Sequence, residues 1–386
     1  MILNSSLVEQ AIDGDSFATF VKEIILARPR VTGVPISAAD GTDIPLAMVR
    51  KRLLPGSAAT GTLAAEVGPT KAPVLLLHGY GQNHYAWHLP ARSFANYLAA
   101  AGYDVFNLDL RGHGRSRHLG ARPPKNLAEY VREDVPAAIE EIRRLSSSRP
   151  LFLVGHSLGG LISYAVAPLL SDAVAGVVTL GSPYHFTRGS RFLAMFGTAM
   201  LTLDRTLSFG HGLVPLRHLA EVMRIARVFV ESPVFPLPIR GFSPGSLEPR
   251  VLGQHMSLAM DRGSVAVMRN LFLRAAEARA SGHRLGVLYG YASAFEAADL
   301  PLLIIAGSRD GLAPPSSVRP AYVRSHSSDK TYRAFPRGHI DLLVGRDAPT
   351  TIWPLVLAWL NTRVRRLGDR LRVDPAASVE RELSVD

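Results

Sequence analysis

The chain has 386 residues and not one cysteine. Disulfides, cysteine-ligated zinc and iron–sulfur clusters are therefore excluded. So is a thiol nucleophile, which leaves Ser, Thr, Lys, Asp, Glu, His or Tyr for any covalent catalysis. Acid is the scarcer charge: 32 Asp and Glu against 43 Lys and Arg give a net charge of +11 with His neutral. Such a surplus suits a polyanion binder, a membrane-surface protein or an enzyme with a basic exterior. Lysine is itself scarce, at Lys22, Lys51, Lys71, Lys125 and Lys330 alone. The arginine bias reads as GC-rich genome composition rather than function. Long apolar runs are also missing. The most apolar stretch outside strand-like runs, 192–203, is shorter than the roughly 20 residues that span a bilayer. The N-terminus lacks a basic start, a long apolar middle and a small-residue cleavage site, so no secretory signal is expected. A soluble, cytoplasmic protein is the expectation.

With 47% hydrophobic and 19% charged residues the chain is expected to be globular. No internal repeat is present. Apolar residues recur at helical spacing over 5–27, so 1–30 reads as an N-terminal helical segment. Residues 31–54 read as two short strands around the turn signature Ala39-Asp40-Gly41-Thr42, and 55–72 as a surface loop. A regular alternation follows. Strands are expected at 74–77, 103–108, 151–154 and 174–180, and helices at 91–101, 127–145 and 158–170. Apolar strands alternating with helices imply a parallel sheet covered on both faces. The alternation breaks after Gly181-Ser182-Pro183 and resumes at 302–306 and 331–335, with a last helix at about 349–366. The expected organisation is a core over 31–183 and 299–366, interrupted by a mainly helical cap over 184–298, with a charged, loose tail at 367–386. The cap contains a Pro-rich loop starting at Ser232.

The strongest chemical signal is Gly155-His156-Ser157-Leu158-Gly159, followed by Gly160. This G-x-S-x-G lies between an apolar strand and a helix, the context of a nucleophile elbow. There the Ser occupies a strained strand-to-helix turn. Small residues before and after it avoid clashes, and the helix dipole favours negative charge at its oxygen. A serine needs a base. His339 lies in the loop after the last strand, where catalytic groups gather in such sheets. Asp310, after the preceding strand, is the expected partner that fixes the imidazole tautomer. Asp341, two residues from His339, is a poorer candidate. Ser157, Asp310 and His339 follow the Ser…Asp…His order of acyl hydrolases. An oxyanion hole is expected from the amides of Leu158 and Tyr80, the latter in the loop Leu77-His78-Gly79-Tyr80-Gly81-Gln82. His78 is expected to buttress that loop. His78, Gly79, Tyr184 and Leu312 are candidate pocket residues. His84, Trp87 and His88 either line a pocket mouth or pack within their loop.

The segments Leu77-His-Gly-Tyr-Gly81, Asp109-Leu-Arg-Gly-His-Gly-Arg-Ser116, Gly155 to Gly160, Gly307-Ser-Arg-Asp310 and Gly338-His-Ile-Asp341 occur in one order. In them the chain resembles the α/β-hydrolase superfamily over 35–362. The resemblance implies the α/β-hydrolase fold: a mostly parallel central sheet flanked by helices, with a helical cap after the sixth strand. Tyr130 to Ala138 and Gly181-Ser-Pro are similar to lipase-type and polyhydroxyalkanoate-synthase-type branches. The synthase branch uses Cys in the elbow, so Ser157 argues against polymerisation. Epoxide hydrolases and haloalkane dehalogenases use Asp there, which disfavours those reactions. The resemblance also makes Arg111 to Ser116 a structural loop.

The expected activity is hydrolysis of carboxylic esters through an acyl-enzyme, without metal or other cofactor. Phe186, Phe192, Met195, Phe196, Met200, Phe209, Met223, Phe229 and Phe235 of the cap suit a hydrophobic acyl group, though most are expected to form the cap's own core. The rival readings are an acyltransferase using the same acyl-enzyme, and an inactive binding protein of this fold. The partner is a small-molecule ester. No nucleic-acid partner and no transmembrane segment are expected; weak contact with an anionic membrane surface is compatible with the charge. The oligomeric state stays open.

Overall fold

The computed structural model describes residues 7–13, 16–31, 34–35, 45–54, 70–146, 149–207, 212–225, 241–282 and 289–373. Nine strands form one mixed sheet: β1 (Leu7–Asp13), β2 (Ser16–Ala27), β3 (Leu46–Leu53), β4 (Pro73–Leu77), β5 (Asp104–Leu108), β6 (Leu151–His156), β7 (Val174–Leu180), β8 (Leu302–Gly307) and β9 (Lys330–Phe335). Their order across the sheet is β1-β2-β3-β5-β4-β6-β7-β8-β9. The six from β5 to β9 are mutually parallel, and β1, β2 and β3 extend the sheet antiparallel.

Every residue of β4, β5, β6 and β8 is buried, which explains their largely apolar sequences; Asp104 and Asn107 of β5 and His156 of β6 are the buried polar exceptions. Alternate side chains feed two cores. Leu75, Leu77, Leu151 and Leu153 meet helices α2 (Val135–Leu145) and α3 (Leu158–Val166). Val74, Leu76, Phe152 and Val154 face α1 (Phe94–Ala100) and the long C-terminal helix α7 (Ala348–Val373).

The helix expected over 1–30 is instead a β-hairpin, with Asp13 paired to Ser16. Its apolar residues are ambiguous between the two periods, and pairing of β2 along the whole of β3 settles the choice. The dipeptide between the paired residues, Gly14-Asp15, is itself a hairpin signal. These strands also shift the count, so the long insertion follows the seventh strand of the sheet, not the sixth. Residues 31–54 supply one strand to the sheet rather than two, and the Ala39–Thr42 turn lies outside the described residues, as does most of 55–72. The helix expected over 127–145 is interrupted by a π-turn at Tyr130–Asp134, where Asp134 binds Arg111. Helix α7 runs past 366 to Val373, so the first part of the expected tail is helical; 374–386 lie outside the described residues.

Between 184 and 298 the described residues are mainly helical. They include α4 (Arg191–Leu207), α5 (Leu216–Ile225), α6 (Val265–Ala280) and shorter turns at Pro249–Gln254 and His255–Ala259. Phe209, Phe229, Phe235 and the Pro-rich loop lie outside the described residues. Met195 and Phe196 are exposed, whereas Phe186 packs on the core. No helix among the described residues is long and apolar enough to cross a membrane.

Candidate active site

The loops leaving β4, β6, β8 and β9 meet at one edge of the sheet. Ser157 ends β6 and begins α3 at φ 52°, a conformation that costs a non-glycine residue strain. Two glycines make the turn fit. A Cβ on Gly159 would stand 2.2 Å from the Leu77 carbonyl oxygen, and one on Gly155 would stand 2.4 Å from the Gly160 nitrogen. Helix α3 therefore closes directly onto β4 and β6. The side chain of Ser157 is half-buried.

His339 and Asp310 arrive from the two neighbouring strand ends. The His339 Nδ1–H donates to Asp310 Oδ2 at 2.7 Å, with both residues buried. Asp310 Oδ1 accepts the backbone N–H groups of Leu312 and Ala313, each at 2.8 Å. The carboxylate is thus fixed by its own loop, and Leu312 contributes through its main chain. At Gly181 (φ 56°) a Cβ would come within 3.1 Å of both Asp310 Oδ2 and His339 Nδ1, so glycine leaves room for the pair. The His339 ring lies 4.5 Å, centroid to centroid, from that of His156, the residue before the serine. The Asp310–His339 pair thus lies against the residue that precedes Ser157.

Asp341 is not an alternative acid for that histidine. Its oxygens accept Gly338 N–H (2.8 Å), Ser243 N–H (2.9 Å) and the Ser246 hydroxyl (2.7 Å). It fastens the His339 loop to the returning end of the insertion.

The loop after β4 crosses in front of the elbow. A Cβ on Gly79 would stand 3.2 Å from Ser157 Cβ. His78 is structural: its Nδ1–H donates to Gly79 O (2.8 Å) and its Nε2 accepts Leu110 N–H (3.2 Å), fixing a neutral tautomer. Burial holds its pKa down. Among the described residues, neither the Tyr80 nor the Leu158 amide N–H donates to another protein group. The Tyr80 hydroxyl reaches Ser264 O at 2.8 Å, pinning the loop to the insertion.

Tyr184 departs from its expected place in the pocket. It is fully buried, its ring packs on Tyr164 and Phe295, and its hydroxyl donates to Glu296. The aromatic core under β7 claims it. Trp87, His84 and His88 pack within their loop, with His84 bonded to Asp109. Arg111 is equally enclosed and is bonded to Asp134 and Glu133.

Two neighbours carried no separate signal in the sequence. Gln82 Oε1 accepts Gly79 N–H at 3.0 Å and lies 3.3 Å from His156 Nδ1; its Nε2 lies 3.4 Å from Nε2 of His255. Gln82 stands in the loop motif, but nothing in the sequence ties it to a histidine 173 residues away.

A family model described as the alpha/beta hydrolase fold matches residues 72–207. Epoxide hydrolase B of Mycobacterium tuberculosis is 34% identical over 113 residues, 29% of this chain and 29% of that enzyme. A pimeloyl-[acyl-carrier protein] methyl ester esterase of Photorhabdus laumondii is 35% identical over 117 residues, 30% of this chain and 38% of that protein. Both matches thus span well under half of those proteins. The crystal structure of Paleococcus ferrophilus monoacylglycerol lipase superposes with a TM-score of 0.54 at 20% identity, covering 76% of this chain and 96% of the lipase. That likeness is one of fold.

Proposed function

We propose that the chain, which matches the alpha/beta hydrolase fold model over residues 72–207, is a serine hydrolase of carboxylic esters, acting through an acyl-enzyme on hydrophobic acyl groups. The observation that carries the reading is the strained Ser157 at the elbow, with a buried His339–Asp310 pair packed against the preceding residue, His156. His339 Nε2 takes the hydroxyl proton as Ser157 attacks the ester carbonyl. Asp310 keeps the proton of His339 on Nδ1 and stabilises the imidazolium that forms. The amides of Leu158 and Tyr80 donate to the carbonyl oxygen as it gains charge. His339 then protonates the leaving alcohol, and water, deprotonated by the same imidazole, releases the acid.

Similarity to epoxide hydrolases over 29% of the chain does not carry their reaction across. A carboxylate opening an epoxide forms an ester that water can cleave. Ser157 would form an ether, which does not turn over. The esterase relative supports ester substrates more directly. The insertion over 184–298 serves as the cap that excludes water and shapes the acyl site. A fluorophosphonate is expected to label Ser157, and p-nitrophenyl esters from acetate to palmitate are expected to be cleaved faster as the chain lengthens. Absence of labelling in the folded protein would overturn the hydrolase. A preference for acetate would overturn the acyl-site assignment alone.

A further inference from the structure

We propose that Gln82 is a positioning residue for oxyanion stabilisation, and that His255 of the insertion holds it in place. The inference rests on the serine-hydrolase reading and deepens it. Gln82 is buried and closes the loop after β4 twice: its main-chain N–H meets Gly79 O at 3.3 Å, and its side-chain Oε1 accepts Gly79 N–H at 3.0 Å. Gly79 precedes Tyr80, the proposed oxyanion donor, and lies against Ser157. Setting the Gly79 peptide sets the direction of the next N–H.

The amide orientation of Gln82 follows from its partners. Gly79 N–H can only donate, so Oε1 must face it, and Nε2 faces His255. His255 Nε2 then accepts, with its own proton on Nδ1. His255 is fully buried in the turn His255–Ala259, whose continuation grips the same loop: Asn83 N–H donates to Ala259 O (3.0 Å) and Asp261 N–H to Gly81 O (2.7 Å). Gln82 Oε1 also meets His156 Nδ1, and His156 Nε2 lies 3.3 Å from the His339 carbonyl oxygen. One side chain thus touches the oxyanion loop, the elbow and the insertion.

The test is a double-mutant cycle on kcat and KM for a p-nitrophenyl ester, with fluorophosphonate labelling rates and melting temperatures in parallel. Gln82→Met keeps length but loses the acceptor. It is expected to lower kcat about ten- to a hundredfold with KM within about twofold, less than deleting an oxyanion donor outright. His255→Phe is expected to lower kcat about three- to tenfold, and the double variant to be no slower than Gln82→Met, since both act through one contact. Gln82→Glu, which keeps an acceptor for Gly79 N–H, recovers part of the loss. An active enzyme in which Gln82→Met retains full kcat, or in which the two losses multiply, overturns the inference. If Gln82→Met does not fold, a His255→Phe variant with unchanged kcat and labelling rate overturns it equally. A wild-type protein that neither cleaves esters nor labels at Ser157 defeats the hydrolase reading instead.

Discussion

Among the described residues, two aspartate–histidine pairs are buried at the carboxyl ends of parallel strands, and one of them packs against the residue before a strained serine. His339 donates from Nδ1 to Asp310 at 2.7 Å; His84 donates from Nδ1 to Asp109 at 2.8 Å. By that bond alone the pairs are interchangeable. They differ in what else each carboxylate holds. Asp310 is fixed by two amides of its own loop, which leaves the imidazole as the end of the arrangement. Asp109 takes the side chain and the backbone N–H of His84 together, and Arg115 N–H as well, so it ties three segments into one loop base. An Asp–His bond is therefore no signature of catalysis. What marks the candidate site is the positive-φ Ser157 with its cleared glycine surroundings.

The comparison is tested most severely at the serine. Ser157→Ala is expected to lower kcat by at least about 10⁴-fold, because a triad acts as a unit. The melting temperature should not fall, since no packing is lost. Turnover within tenfold of wild type would show that the strained serine is not the distinguishing feature.

Next in size is the contrast between the two acids. Asp310→Asn should lower kcat by about 10³- to 10⁴-fold through the wrong imidazole tautomer. Asp109→Asn should change kcat less than tenfold but lower stability by about 3–5 kcal/mol, as breaking a buried pair does. Parallel kinetics and thermal unfolding separate the outcomes. Equal kinetic losses at both aspartates would erase the distinction.

The same contrast marks what the sequence could reveal. The pair at Asp310 and His339 was legible because each follows a strand of the resumed alternation and the elbow motif demands a base. The core strands were legible because parallel strands buried on both faces are largely apolar. The hairpin at 7–27 was not, since short half-apolar segments fit either period until partner strands choose. Tyr184 sits two residues past β7's closing glycine-serine turn and looked like pocket lining. It turned inward because the Tyr164–Phe295 layer needed its ring. His255 was invisible for another reason: its contact with Gln82 joins distant segments and leaves no local pattern.

The smallest expected effect is on stability, and it falls on histidines that belong to neither pair. Burial pushes His78 and His156 below the ordinary histidine range, His113 down to about 3 and His255 down to about 4. Unfolding exposes them to water, where they titrate near 6.5. Between about pH 6.5 and 4 the unfolded chain binds protons that the native chain refuses, so stability rises with pH across that window and is lost on acidification. For His255 alone the loss amounts to roughly 3 kcal/mol by pH 4. His255→Phe should therefore flatten the decline of melting temperature below pH 6. A His255→Phe profile parallel to that of the wild type would mean that His255 binds no extra proton on unfolding.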